Sequence, residues 1–160
     1  MGTGRIDRSP ISHLDYVPDE LNAFYRLVEA SDVVVESFSP SSPYQALIGY
    51  ELLSSLNPRL IQCSLTAYGS NGPLQDEPPI DELVMARTGI LASQPSFRPG
   101  PANVIHPLPS VGAGLLAALG IVSTLFRRES TGVGGRVETS LMNGALMFAP
   151  KVIGEKIELW

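Results

Sequence analysis

Cysteine and histidine are almost absent from this chain, with one cysteine and two histidines in 160 residues. Cys63 lies inside an apolar, strand-like run, so an intramolecular disulfide is excluded and a zinc ion would lack ligands; the residue reads as reduced and buried. No acidic or histidine cluster stands at metal-ligand spacing, so no metal is expected. Charge is also scarce, at 17% of residues, and the net value of -5 gives no basic field. Generic binding to nucleic acid or anionic lipid is therefore not expected, whereas a small anionic ligand needs only a local cluster of donors. The leading MGTGRIDRSP has no apolar stretch of the kind a secretory signal requires, which makes a cytoplasmic location the simplest expectation. Internal repeats are missing too.

What is present suits one well-buried domain. Hydrophobic residues make up 44%, and a chain of this length buries most of the surface it would expose unfolded. Residues 1–20 mix turn formers and charges without an apolar period and read as an irregular leader, with the domain proper over 21–160. From Pro18, the spacing of Leu21, Phe24, Leu27 and Val28 predicts an amphipathic helix. Asp32 to Phe38 reads as a central parallel strand buried on both faces, because its β-branched run is continuous. A helix over about 43–56 and a strand from Arg59 to Ala67 complete a strand–helix–strand unit, which implies a parallel sheet.

Beyond that strand, YGSNGPLQDEPP is a loop, placed where open α/β sheets receive ligands. A helix is expected from Ile80 to Leu91, then a proline-rich excursion, SQPSFRPGPANVIHPLP. The longest helix starts near Ser110 and ends with Arg127 and Arg128 in its last turn and Gly132 just past it. Its apolar run approaches membrane-spanning length, but its Gly and Ala content favours a helix packed inside a globule. A strand from Arg136 to Leu141 and a helix from Met142 to about Val152 follow.

Several residues invite chemistry. Gly132, Gly134 and Gly135 follow a helix and precede a strand, the reverse of a dinucleotide loop, and read as a turn. Asp81 and Glu82 diverge by about 100° on a helix, so they complement their own helix N-terminus better than they share a substrate. His106 stands four residues before Ser110, which admits a serine nucleophile with a histidine base; no nucleophile elbow surrounds Ser110, and helix capping is the plainer reading. Phe38 and Tyr68 end two strands and could stack on an adenine ring or simply fill the core. Arg127 and Arg128 read as solvated last-turn cations.

Four blocks go further: ASDVVVESFSP, GYELLSSLNPRLIQCSLTAYGSNGP, the loop after it, and AGLLAALGIVSTLFRRESTGVGGRVETSLMNGAL. In order and spacing they resemble the family III CoA-transferases, over about Leu21 to Pro150. The resemblance implies an α/β, Rossmann-like parallel sheet with flanking helices, in an incomplete version of that family's large domain. It implies coenzyme A or an acyl-CoA thioester as substrate with a carboxylic acid as acceptor, no covalently bound cofactor, and a homo- or hetero-oligomer with a CoA-transferase partner. In that family an acyl group passes through intermediates on an aspartate just ahead of the long helix. Here that position is Ser110, which cannot form a mixed anhydride.

Other family positions depart as well. The asparagine after the first strand's glutamate is Ser37, the following arginine is Gln45, and the tyrosine or histidine before the Asp81 helix is Ile80. The resemblance places CoA contacts at Ser37, Phe38, Gln45 and Tyr68. Members of the family also carry an earlier strand–turn–helix and a second domain. The expectation is thus an inactive or partner-dependent half. The alternatives are a non-catalytic CoA-binding or assembly module, a Ser110-dependent thioesterase, and a protein of the racemase branch, whose paired histidine and aspartate would fall at Ile80 and Ser110. An incomplete sheet should also expose an edge and apolar surface, so self-association is expected.

Overall fold

A computed structural model describes residues 18–93, 100 and 105–148. The elements are α1 (Pro18–Glu29), β1 (Val33–Glu36), α2 (Gln45–Ile48), α3 (Tyr50–Leu56), β2 (Ile61–Thr66), α4 (Asp81–Arg87), α5 (Ile90–Ser93), α6 (Leu108–Thr131), β3 (Gly135–Ser140) and α7 (Leu141–Leu146). The three strands form one parallel sheet in the order β1-β2-β3, with Val33 opposite Ile61 and Ile61 opposite Gly135. The expected α/β parallel sheet with flanking helices is therefore observed. The expected leader lies outside the described residues except for its last three, which begin α1. The proline-rich excursion between α5 and α6 and the far end of the last helix also lie mostly outside them.

Side-chain alternation gives the sheet two faces. Val34 packs toward α1 and α3, where Val28, Leu53 and Leu60 form a buried cluster. On the other face Val137 lies against Gly120 of α6. A second cluster, Val84, Met85, Ile90, Ala113, Leu141 and Ala145, locks α4, α5, α6 and α7 together.

The central strand is β2, not β1. β2 is buried along nearly its whole length, whereas Val35 of β1 is 59% exposed and β1 lies at the sheet edge. A valine run reports the burial a strand is suited to, but its place in the sheet depends on which neighbours are there, and no described strand pairs beyond β1. The helix expected over 43–56 is two, because Gly49 takes an extended ψ of 143° between α2 and α3. The helix expected over Ile80 to Leu91 is broken in the same way, by Gly89 at φ 76°.

α6 begins two residues earlier than Ser110. Pro107 is its N-cap and Pro109 sits in the first turn, where a missing N–H costs nothing. It ends as expected, with Gly132 in the left-handed region at φ 72° and its N–H bonded to the Arg128 carbonyl. Of the two arginines of its last turn, Arg127 is exposed, as expected, and Arg128 is not. Arg128 is 6% exposed and bonds the Arg59 carbonyl and Asp32, while Arg127 donates to the Gly134 carbonyl at 2.7 Å. Both guanidiniums tie the end of α6 to the starts of β2 and β3. Among the described helices, α6 alone is long and apolar enough to cross a membrane by length and composition.

Candidate functional site

The carboxyl ends of the strands lead into the loops that carry the family-like positions. β1 ends at Glu36, whose side chain is buried and accepts the Phe38 N–H at 2.8 Å, which holds the backbone just beyond the strand. Beside it lies a groove of about 320 Å³ lined by Phe24, Val34, Glu36, Ser37, Phe38 and Ile48, with Val35 and Leu65. Phe38 is partly exposed, and its ring centroid is 5.3 Å from that of Tyr44 at a 50° tilt. Ser37 and Phe38 thus share one site. Gln45 opens α2, the helix whose Ile48 reaches the groove, and is half-buried.

Tyr68 lies elsewhere. It packs against the α4–α7 cluster, with the Arg87 guanidinium 5.4 Å from its ring centre and its hydroxyl buried without a hydrogen-bond partner. Tyr68 and Phe38 therefore do not line a common groove. Gly134 approaches β2 closely, since a Cβ there would meet the Leu60 carbonyl oxygen at 1.9 Å; with the cap at Gly132 this is the turn the sequence implied.

The amino end of α6 holds the decisive geometry. Ser110 is not a cap; it lies inside the first turn, and both of its donors go to one carboxylate. Its N–H donates to Asp81 Oδ1 at 2.7 Å and its Oγ–H to Asp81 Oδ2 at 2.6 Å. Asp81 starts α4, 29 residues earlier, and lends its charge to the end of α6 in addition to its own helix. The helix dipole and the free N–H groups of a first turn favour an anion there. The Ser110 hydroxyl is thus engaged by Asp81, and no described bond joins it to His106.

Position 110 is held by a second contact. Gly112 of α6 and Gly144 of α7 touch backbone to backbone, since a Cβ on Gly112 would lie 2.3 Å from the Gly144 carbonyl oxygen. α7 is in turn started by Ser140, whose Oγ accepts the Asn143 N–H at 3.1 Å. At the sheet's tips a polar cleft of about 240 Å³ is lined by Ser64, Thr66, Gly69, Ser70, Glu138, Thr139 and Asn143. Inside the sheet, burial first and the Glu36 charge second push the Cys63 thiol above its ordinary pKa range. Among the described residues no group of three or more His, Cys, Asp or Glu could hold a metal ion.

Residues 14–158 match the profile of CoA-transferase family III. This chain belongs to that family. It is 35% identical over 127 residues to the acetyl-CoA:oxalate CoA-transferase of Acetobacter aceti, covering 78% of the chain and 32% of that protein. It is 30% identical over 156 residues to the succinyl-CoA–L-malate CoA-transferase beta subunit of Chloroflexus aurantiacus, covering 96% of the chain and 38% of that protein. Among solved structures, Rv3272 from Mycobacterium tuberculosis superimposes with a TM-score of 0.80 at 29% identity, over 89% of the chain and 40% of that one. The chain spans about a third of the length of the curated relatives it matches.

Asp81 and Glu36 are the site residues the sequence reading passed over. Asp81 was legible as a carboxylate opening a helix, but its reach to a helix 29 residues on is a tertiary fact. Glu36 stood within a strand-like run, where nothing marks a side chain that turns to hold the following backbone.

Proposed function

We propose that this chain is a partner-dependent part of an acyl-CoA:carboxylate CoA-transferase. On this reading it helps hold an acyl-CoA thioester, and another chain, or another part of a longer protein, supplies the acyl-accepting carboxylate. The observation that carries the proposal is Ser110 with both donors bound to Asp81. A transferase needs an ionised acid at that helix end, able to form an anhydride that hands its acyl group back to a thiolate. A serine hydroxyl would give an ester, which lacks that reactivity. Ser37, Gln45 and Ile80 depart from the family pattern in the same direction, and one relative is itself named a beta subunit.

In this reading the groove at Ser37 and Phe38 takes the nucleotide end of CoA, with Gln45 nearby. Its volume suits part of a small ligand, and an exposed aromatic edge suits a purine. Tyr68 acts through packing. The domain expected over 21–160 is on this reading a partial large domain, and the chain works in the cytoplasm.

The test is a CoA-transfer assay with acetyl-CoA and oxalate as probes, together with calorimetric titration of CoA. The expected result is binding heat without turnover by the chain alone. Absence of heat at millimolar CoA would leave an assembly role only. A second reading has its own support: Asp81 already presents a carboxylate at the end of α6 and could itself accept the acyl group. Unaided turnover, abolished in a folded Asp81→Asn variant, would establish that reading and remove the partner. The racemase alternative finds neither histidine nor aspartate at Ile80 and Ser110. The thioesterase alternative requires that Ser110→Ala lose thioester hydrolysis.

A further inference from the structure

We propose that Asn71 is a self-modifying residue: its side chain closes onto the backbone nitrogen of Gly72, and the loop beyond β2 acquires a carboxylate, as aspartate or isoaspartate, beside the polar cleft. The chain contains two Asn-Gly pairs, Asn71-Gly72 and Asn143-Gly144. The fold leaves the first open to this reaction and protects the second.

The reaction is an intramolecular acyl transfer, favoured by the fixed proximity of its two partners. The Gly72 nitrogen gives up its proton and attacks Cγ of Asn71. A C–N bond forms, closing a five-membered succinimide, and the Cγ–Nδ2 bond breaks with loss of ammonia. Water then opens the ring. Entry at the former side-chain carbonyl gives aspartate, and entry at the former backbone carbonyl gives isoaspartate. Water is the sole co-reactant, and a following glycine suits the step because no Cβ crowds its nitrogen.

Asn71 and Gly72 are both exposed, and a Cβ at Gly72, which stands at φ 111°, would meet nothing within 4 Å. The Asn71 amide makes one exposed bond, from Nδ2 to Ser70 Oγ at 3.2 Å, which water replaces at little cost. Among the described residues no carbonyl accepts the Gly72 N–H. Asn143 differs in each respect. It lies in α7, and Gly144 stands four residues after the N-cap Ser140, where a helix ties the N–H to the cap carbonyl. Gly144 is buried against α6, since a Cβ there would lie 2.2 Å from the Pro109 carbonyl oxygen. Ring closure at Asn143 therefore waits on local opening of α7 and slows with the rarity of that open state. Asn57 is excluded by chemistry, because Pro58 follows it and has no N–H.

The consequence is local. Ser70, which accepts from the Asn71 amide, donates to Glu138 Oε2 at 3.5 Å, and both residues line the cleft. Aspartate has no amide to offer Ser70 and brings a second negative charge toward Glu138. Isoaspartate also adds a methylene to the backbone next to Gly72. The inference does not depend on the proposed chemistry, because its readout is a covalent change.

Peptide mapping by mass spectrometry tests it on the intact chain kept warm in mildly alkaline buffer, with a parallel sample in guanidinium chloride. The expected result is a gain of about 1 Da on the peptide bearing Asn71, part of it labelled by an isoaspartyl methyltransferase. In the folded chain Asn71 should convert at least about tenfold faster than Asn143, and in denaturant the two rates should converge. Asn71→Gln, which would need a six-membered ring, should show no such gain while keeping the far-UV dichroism of the wild type. An Asn71 unchanged in the folded chain, over the time in which Asn143 converts in denaturant, would overturn the proposal. So would equal rates at the two sites in the folded chain, or a preference for Asn71 that persists in denaturant and hence owes nothing to the fold.

Discussion

At Ser110 a backbone donor and a side-chain donor converge on the two oxygens of one aspartate, at 2.7 and 2.6 Å. Hydrogen bonds to an ionised group stabilise more than neutral ones, though partial exposure lets water compete. Asp81→Ala should therefore cost about 1–2 kcal/mol, with Ser110→Ala costing less, since the backbone bond survives. Urea unfolding checks the order of the two. The two losses should not add, because both variants break the same contact.

Cys63 gives a residue-scale prediction with a sign. Its folded pKa is raised, chiefly by burial and then by Glu36, so the unfolded chain releases the thiol proton first. Stability is unaffected below the unfolded value and falls as pH climbs past about 8.5, until the folded thiol also titrates. Unfolding measured at pH 7 and pH 9.5 should show this loss, and Cys63→Ala should reduce it. That the thiol would be buried was legible, because an apolar run of this length rarely turns outward. Its electrostatic neighbour was not, since Glu36 lies on the adjacent strand.

At the scale of elements, local rules were readable and long-range ones were not. The end of α6 at Gly132 follows from glycine's access to positive φ, and the strands follow from their composition. The edge position of β1, the burial of Arg128 against Asp32, and the reach of Asp81 to α6 all depend on segments distant in sequence. The breaks at Gly49 and Gly89 were hidden because apolar spacing continued through both. The Gly112–Gly144 contact has the same non-local character and is open to test. Either glycine replaced by alanine puts a Cβ into backbone, so α6 and α7 must separate. Such overpacking costs about 1–3 kcal/mol. A thermal unfolding series should show Gly112→Ala well below Gly114→Ala, whose Cβ would meet nothing within 4 Å.

As a whole molecule, the chain places a family III scaffold over about a third of its relatives' length, with the long helix and three parallel strands in order. The family was legible because its blocks are long and ungapped. Whether the site acts alone could not be read from blocks, because the deciding contact joins α4 to α6. That contact can be interrogated directly by intact-mass spectrometry after incubation with an acyl-CoA. The account predicts no covalent acyl or CoA adduct on the wild-type chain and a new adduct at position 110 in Ser110→Asp. A wild-type adduct mapping to Asp81 would contradict it.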